Sequence, residues 1–454
     1  SHLILNPAID FKSIFKESSN GIKGINFFRI GIFLLPSAFS ISAIFILIAS
    51  IINLKNKGDK LFKNTWNYPL YFSTILILFT SFYNYLTFGK IENLQIENKI
   101  SILLDIANWV PFFYIFITCR TFLSNIFLRR DFVILLVSGS LPIILSGFYQ
   151  FLLFKNNFPE SFFGPYQIFG GLVVWYQRHI NSDGELGITS IFNNPNYFGC
   201  WLIVLLPFSI ALFLEKNKEF YKKIFSLIVL LSIVISIVLT RSKAAINLLI
   251  LSIPITFDFN LKITLFLLIF FFISTGILVY MANVDIPNNF QIIPKAILDD
   301  YSKEALSFSD DVLREFRLNI WINSINFIKA YPLFGLGAGL FPILYFQETG
   351  IWITHSHNLF LELAFNHGIL VAITIFIFFV SLIFKSSYSL KSYLLGENFN
   401  YSFLNKAWWS SAFLLILSQM VDVQYYDGRF SMTLWLLLSG LLSIIQEKYP
   451  ALKT

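Results

Sequence analysis

The sequence predicts an all-α polytopic integral membrane protein, and three observations carry that prediction. Of its 454 residues, 56% are hydrophobic and only 13% are charged, against roughly 25% charged residues in an ordinary soluble domain. The mean hydropathy is +0.69. Apolar runs of about 18 or more residues, long enough to cross a bilayer as helix, recur along the whole length. They are continuous, whereas transmembrane β-strands would alternate over segments of about ten residues. A single membrane domain, 1–454, with about 12 transmembrane helices is expected.

The first apolar run, 25–53, has positive charge on both sides: Lys12, Lys16 and Lys23 before it, and Lys55, Lys57, Lys60 and Lys63 after it. One crossing would put one of these clusters on the wrong face. Pro36-Ser37 near the middle predicts two short helices, either as a full hairpin or as a re-entrant one. Span 68–89 then leads out, 108–128 returns to Arg129-Arg130, and 131–154 leads out again. The loop 155–196, rich in Gly, Pro and aromatics, precedes span 197–214, which returns to Lys216, Lys218, Lys222 and Lys223. Span 224–240 reaches the tight turn Arg241-Ser242-Lys243, and 244–257 comes back. Span 263–281 opens the largest loop, 282–357, which is partly helical and acidic. Spans 358–384, 407–421 and 430–445 leave the C-terminus inside. Lys and Arg thus fill the short inner loops, and the two long loops face out.

That placement accounts for the net charge of +7 without nucleic acid, which is not expected as a partner. Cys119 and Cys200 lie in or beside apolar helices, so neither a disulfide framework nor zinc spacing is suggested. Residues 1–24 are polar and lack the small-residue cleavage site of a secretory signal.

The residues suited to chemistry fall on the outer face. Arg178 and His179 lie in the first long loop, Arg241 and Lys243 in the tight turn, and Arg314, Arg317, His355 and His357 in the second long loop. Cations at a membrane boundary suit snorkelling anchors as well as an anion site, for which Arg offers a planar fork and Lys a point charge. A helical period over 311–330 puts Arg314 and Arg317 on one face, and Tyr331-Pro332 ends that helix. Gly335, Gly337 and Gly339 permit a tight turn and close approach to a ligand. His355 and His357, with no carboxylate nearby in sequence, are not expected to hold a metal. A histidine at the mouth of a membrane helix suits a general base. Only Asp105 and Glu362 stand out as acids within apolar stretches, fewer than a proton-coupled pump would show.

Arg317-x3-Trp321, Pro332-Leu-Phe-Gly-Leu-Gly337 and His357-Asn358-x9-Gly368 occur in that order between two spans. With Asn193-Asn-Pro-Asn196 before an apolar helix and the turn Thr240-Arg-Ser-Lys-Ala244, this pattern resembles the O-antigen ligase and polymerase superfamily, including its cyanobacterial members. The resemblance implies a metal-independent, inverting glycosyltransferase without a cofactor, in the bacterial inner membrane with its active site facing the periplasm. Its donor would be an undecaprenyl or other polyprenyl diphosphate-linked glycan, and its acceptor lipid A-core or another glycan. His357 matches the family's base and Arg317 its diphosphate ligand. Arg241, Lys243 and Arg314 are further diphosphate candidates, and Arg178, Asn196, Trp321, Gly337 and His355 are candidates for the glycan or the surrounding loops. The chain departs from the family where Lys243 stands for the usual Arg, and where Val371 stands for a small residue.

Ligase is the first expectation, with polymerase and protein O-glycosylation sharing the same motifs. A transporter linked to bicarbonate is the alternative of another class, suggested by the likeness of 164–179 to cyanobacterial relatives. The turn Asp422–Arg429 also faces outward, so that Asp422 or Arg429 could line the same cavity as Arg317 and His357, and it has no assigned role at this level.

Overall fold

The computed structural model describes residues 22–87, 96–155, 164–168, 173–177, 187–216, 218–257, 317–393 and 399–448. The expected span 263–281, loop residues 282–316, and Arg178, His179 and Arg314 lie outside this set. Among the described residues, seven helices are long and apolar enough to cross a membrane, and two shorter apolar helices, Ile25–Leu34 and Lys243–Thr256, accompany them.

The predicted hairpin forms as α1 (Ile25–Leu34) and α2 (Phe39–Lys57), turning at Pro36-Ser37. Helix α3 (Tyr68–Thr87) buries Ser73, Thr80, Ser81 and Asn84 along its inner side. Helices α4 (Ile96–Leu104) and α5 (Ile106–Cys119) meet at Asp105. The span expected over 131–154 forms within one apolar helical stretch, Ile126–Leu152, in which α6 (Ile126–Gly139) continues through Ser140 into α7 (Leu141–Lys155), with Arg129 and Arg130 near the start of α6. A two-stranded antiparallel ribbon, β1 (Gly164–Ile168) with β2 (Val173–Gln177), lies in the first long loop.

Helix α8 (Pro195–Leu214) starts where Asn194 accepts a hydrogen bond from the Tyr197 N–H at 3.0 Å, with Pro195 in the first turn. A side-chain acceptor at the cap and a proline just inside are both favourable for helix initiation. Helices α9 (Phe220–Leu239) and α10 (Lys243–Phe257) follow. Beyond the undescribed segment come α11 (Arg317–Ala330), α12 (Phe341–Thr349), α13 (Leu359–His367), α14 (Ile369–Tyr393), α15 (Phe399–Ser418) and α16 (Gly428–Lys448).

Helices α8 and α16 form the centre: 78% and 89% of the residues across their spans are buried, against 22% for α9, which faces lipid. Lipid tails are as apolar as Leu, so packing and interhelical hydrogen bonds hold such a bundle rather than a hydrophobic drive. The Trp408 indole donates to the Leu437 carbonyl at 2.9 Å and lies against Gly440. Trp435 packs among Phe113, Phe116, Phe378 and Phe379 and donates to the Tyr425 hydroxyl at 2.9 Å.

One end of the bundle gathers ion pairs: Arg29 with Asp131, Arg129 with Glu447 (2.6 Å), Arg130 with Glu215 (2.6 Å) and Lys222 with Glu219 (2.9 Å). The other end gathers the turn after α9, residues 187–196, the approach to α13 and the α15–α16 connection. The expected span 358–384 is broken at Gly368, which has a φ of 90°. The break leaves carbonyls at the end of α13 without helical partners. Segment 332–337 meets them: Leu336 N–H donates to Phe365 O (2.7 Å) and Gly337 N–H to Asn366 O (3.2 Å), while Ile369 N–H donates to Pro332 O (2.8 Å). Irregular backbone at membrane depth is tolerated when protein satisfies it in this way.

Candidate active site

Helix α13 begins with a side-chain cap that also fixes the preceding turn. Asn358 accepts from the N–H groups of Phe360 (3.0 Å) and Leu361 (3.2 Å), and its amide donates to the Met420 carbonyl at 3.0 Å. The Leu359 N–H donates to Gln419 O at 2.9 Å. Just upstream, the Ser356 N–H donates to the buried Glu362 carboxylate at 2.8 Å. These contacts hold His357 in the left-handed region, at φ 53°. A non-glycine residue there is strained, and such strain persists only where the surroundings over-determine it.

Held so, the His357 ring meets Asp422, whose Oδ1 lies 2.9 Å from His357 Nδ1. Asp422 sits between α15 and α16 and is 3% exposed. Burial raises its carboxyl, but the hydrogen bond from His357, then the electrostatic pull of the neighbouring His357, His355 and Arg317, outweigh that and hold it at about 2. Asp422 is therefore a carboxylate at neutral pH. Its Oδ1 also accepts from the Val423 N–H at 3.0 Å.

His355 completes the cluster. Its ring centroid lies 4.3 Å from that of His357, edge to face, and its Nε2 lies 3.9 Å from Asp422 Oδ1. Burial, then the neighbouring His357 ring and Arg317, push it down to about 4, against the pull of Asp422. It is neutral at pH 7, and its Nδ1 accepts the His357 backbone N–H at 3.2 Å. The proton of His355 consequently sits on Nε2. For His357 the assignment is the reverse: Nδ1–H pointed at a carboxylate leaves Nε2 as the open acceptor, the tautomer a general base needs.

The sequence spacing gave His355 and His357 no carboxylate partner; the fold supplies one in Asp422. The three side chains offer ligand atoms within 4.8 Å of one another. A set of two imidazoles and a carboxylate suits a divalent ion such as zinc with one position open, and equally suits a hydrogen-bonded dyad with a neighbouring imidazole.

Arg317 opens α11. It is half-buried and forms no ion pair among the described residues, and its charge acts on Asp422, His355 and Cys200. The turn after α9 presents Arg241, at φ 54°, and Lys243, both exposed. Ser242 between them donates to Asn196 Oδ1 at 2.7 Å. Beside Asn196, the Tyr197 hydroxyl donates to the Val423 carbonyl at 2.9 Å. Ser242, Asn196, Tyr197, Val423, Asp422 and His357 thus form a chain of neighbours that ties the cationic turn to the histidine.

The remaining candidates separate. Gly337 packs against Ile102 and bonds the end of α13, so its contacts here are with protein backbone and side chain. Trp321, on α11, buries an indole N–H that has no acceptor among the described residues. Arg429 lies 4.0 Å above the Phe192 ring and pairs with Asp427. Deeper in the bundle, His367 Nε2 lies 2.8 Å from Asp105 Oδ2 and its Nδ1 lies 3.0 Å from Thr80 Oγ1. That network ties α13 to α3 and to the α4–α5 junction.

Residues 225–377 match the family model described as O-antigen ligase. The match includes Arg241, Lys243, Arg317, His355 and His357, and ends before Asp422. The chain is also similar to the ComP-specific O-oligosaccharyltransferase of Acinetobacter baylyi (strain ATCC 33305 / BD413 / ADP1), at 26% identity over 206 residues. That alignment takes in 43% of this chain and 35% of the relative, so the chain spans about a third of the relative's length.

Proposed function

We propose, from the place of residues 225–377 in the O-antigen ligase superfamily, that this chain transfers a glycan from a polyprenyl diphosphate carrier to an acceptor hydroxyl at the periplasmic face of a bacterial inner membrane. The observation that carries the reading is the 2.9 Å contact between His357 Nδ1 and Asp422, which leaves His357 Nε2 to take a proton.

In the proposed step the acceptor oxygen attacks the anomeric carbon of the first sugar. The bond from that carbon to the phosphate oxygen breaks, and the diphosphate leaves with the electron pair. The acceptor proton passes to His357 Nε2, and the configuration at the carbon inverts. Arg317 neutralises the charge that grows on the diphosphate, the kind of fixed electrostatic stabilisation that commonly contributes most to such transfers. Arg241 and Lys243 hold the same group at the membrane boundary, where the apolar tail stays in lipid; Arg314 is a further candidate. Asp422 fixes the tautomer of His357 and stabilises the imidazolium.

The named relative is an O-oligosaccharyltransferase, which supports a hydroxyl acceptor. Ligation to lipid A-core is our first reading; polymerisation and protein O-glycosylation use the same chemistry. The transfer is proposed to be metal-independent, as the resemblance to the O-antigen ligase superfamily implies.

The test is transfer of a purified polyprenyl diphosphate glycan to candidate acceptors by the full chain, with a chelator present. Turnover should survive the chelator, be lost in His357→Ala and fall strongly in Arg317→Lys. Full activity in His357→Ala would remove the base assignment. Activity that vanishes with the chelator and returns with zinc would instead make His355, His357 and Asp422 a metal centre.

A further inference from the structure

The end of α9 away from Thr240 carries a feature that the transfer chemistry does not use. A cavity of about 530 Å³ opens among α6, α7, α8 and α9, within the roughly 300–1,000 Å³ of ordinary ligand pockets. Its wall is mostly apolar, with Ile134, Val137, Leu212, Phe225 and Val229, and its mouth carries Lys218, Tyr221 and Lys222. Helix α9 has 20 residues, about 30 Å at 1.5 Å per residue, which is the thickness of the hydrocarbon core. The mouth and the Arg241–Lys243 turn therefore belong to opposite membrane faces.

The charge around the mouth is one-sided. Lys218 Nζ reaches the Leu212 carbonyl (2.5 Å), Ser226 Oγ (3.3 Å) and Glu215 (3.2 Å), and Glu215 also pairs with Arg130. Lys222 pairs with Glu219, which is half-exposed to solvent, and Lys223 lies over the Phe213 ring. Arg130, Lys216, Lys218, Lys222 and Lys223 stand against Glu215 and Glu219, an excess of three positive charges. An apolar slot with a cationic rim is matched to a molecule that is apolar at one end and anionic at the other.

We infer that this cavity binds one anionic glycerophospholipid from the leaflet at the cation-rich face, with an acyl chain in the slot and the phosphate at Lys222. Membrane leaflets rich in anionic lipid attract basic residues at the surface. A free phosphate would gain nothing from the apolar wall. The phosphates of a polyprenyl diphosphate donor would lie at the other face, beside Arg241 and Lys243.

The experiment uses the full chain, delipidated in detergent and titrated with phosphatidylglycerol, phosphatidylcholine of the same chains, or glycerol phosphate, with adducts counted by native mass spectrometry. One phosphatidylglycerol per chain should be retained in preference to phosphatidylcholine. Lys222→Gln should weaken phosphatidylglycerol about fivefold, the effect of one surface cation on an anionic lipid, and leave phosphatidylcholine unchanged. Val229→Trp, which fills the slot, should remove both. Equal retention of the two lipids, an unchanged ratio in Lys222→Gln, or equal binding of glycerol phosphate would overturn the inference. Displacement of phosphatidylglycerol by polyprenyl phosphate would overturn it too, since the slot would then belong to the donor.

Discussion

His357 and Asp422 are 65 residues apart in the chain, yet their Nδ1 and Oδ1 atoms lie 2.9 Å apart. Two connections make that contact: the turn before α13, held by Asn358 and Glu362, and the α15–α16 connection, held by Asn358 and Tyr197. Asp422→Asn keeps the shape and removes the charge. The amide can donate to Nδ1 and so favours the wrong tautomer, with the proton on Nε2. We expect glycan transfer to fall by about a hundredfold or more, the scale of general base catalysis, with donor KM little changed. Steady-state transfer kinetics check this; a variant with wild-type turnover would show that His357 works without its carboxylate.

The depressed His355 gives a pH signature in stability. Unfolded, an imidazole takes its proton near pH 6.5, whereas the folded His355 takes it only at about 4. Between those values the unfolded chain binds more protons, so stability falls as the pH drops from about 6.5 to 4. Asp422 acts lower: its depressed carboxyl contributes stability that is lost as the pH falls from its ordinary value through about 2. His355→Gln should flatten the melting temperature between pH 6.5 and 4 relative to wild type. An unchanged slope would mean that His355 titrates normally.

Gly335 and Gly368 let segment 332–337 run against the end of α13. Both have positive φ, 65° and 90°, and a Cβ would fall on Phe365 O at the first and on Leu333 O at the second. Gly350 also has a positive φ, 76°, but nothing lies within 4 Å of its Cβ position. Gly350→Ala should cost only the left-handed backbone penalty, about 1–2 kcal/mol. Gly368→Ala and Gly335→Ala must in addition displace backbone, and should lower the yield of monodisperse protein in detergent. Size-exclusion profiles and thermal unfolding separate the two cases.

These glycines also show where sequence reading stops. Gly335-Leu-Gly-Ala-Gly339 reads as a cradle for a ligand because positive φ and close approach look the same whatever approaches. Here what approaches is protein: the α13 backbone at Gly335, and the α4 side chains of Ile102 at Gly337 and Ser101 at Gly339. The apolar runs were legible as helices because composition decides membrane residence. The break at Gly368 was not, since a span can break only where neighbouring chain satisfies its backbone, and that neighbour is remote in sequence. The same distance hid Asp422: no local period links it to His357, although a carboxylate in an outward turn of an apolar chain was visible. Arg317 and His357, by contrast, stand in short ordered motifs.

The buried Asp105–His367 pair carries the last expectation. His367 is 1% exposed and bonds Asp105 at 2.8 Å and Thr80 at 3.0 Å, while the Asn108 amide donates to the other Asp105 oxygen at 2.7 Å. Every polar atom of the pair is thus engaged, and the pair spans α3, α5 and α13. Removing one member leaves the other buried without its hydrogen-bond partner, which typically costs about 1–3 kcal/mol, whereas replacing both costs far less. His367→Leu and Asp105→Leu should each lower the melting temperature sharply in detergent. The double variant should recover much of that loss, because it leaves neither member of the pair unpartnered. Additive losses in the double variant would show that the two residues act on stability separately, and that α13 is anchored by the 332–337 backbone contacts instead.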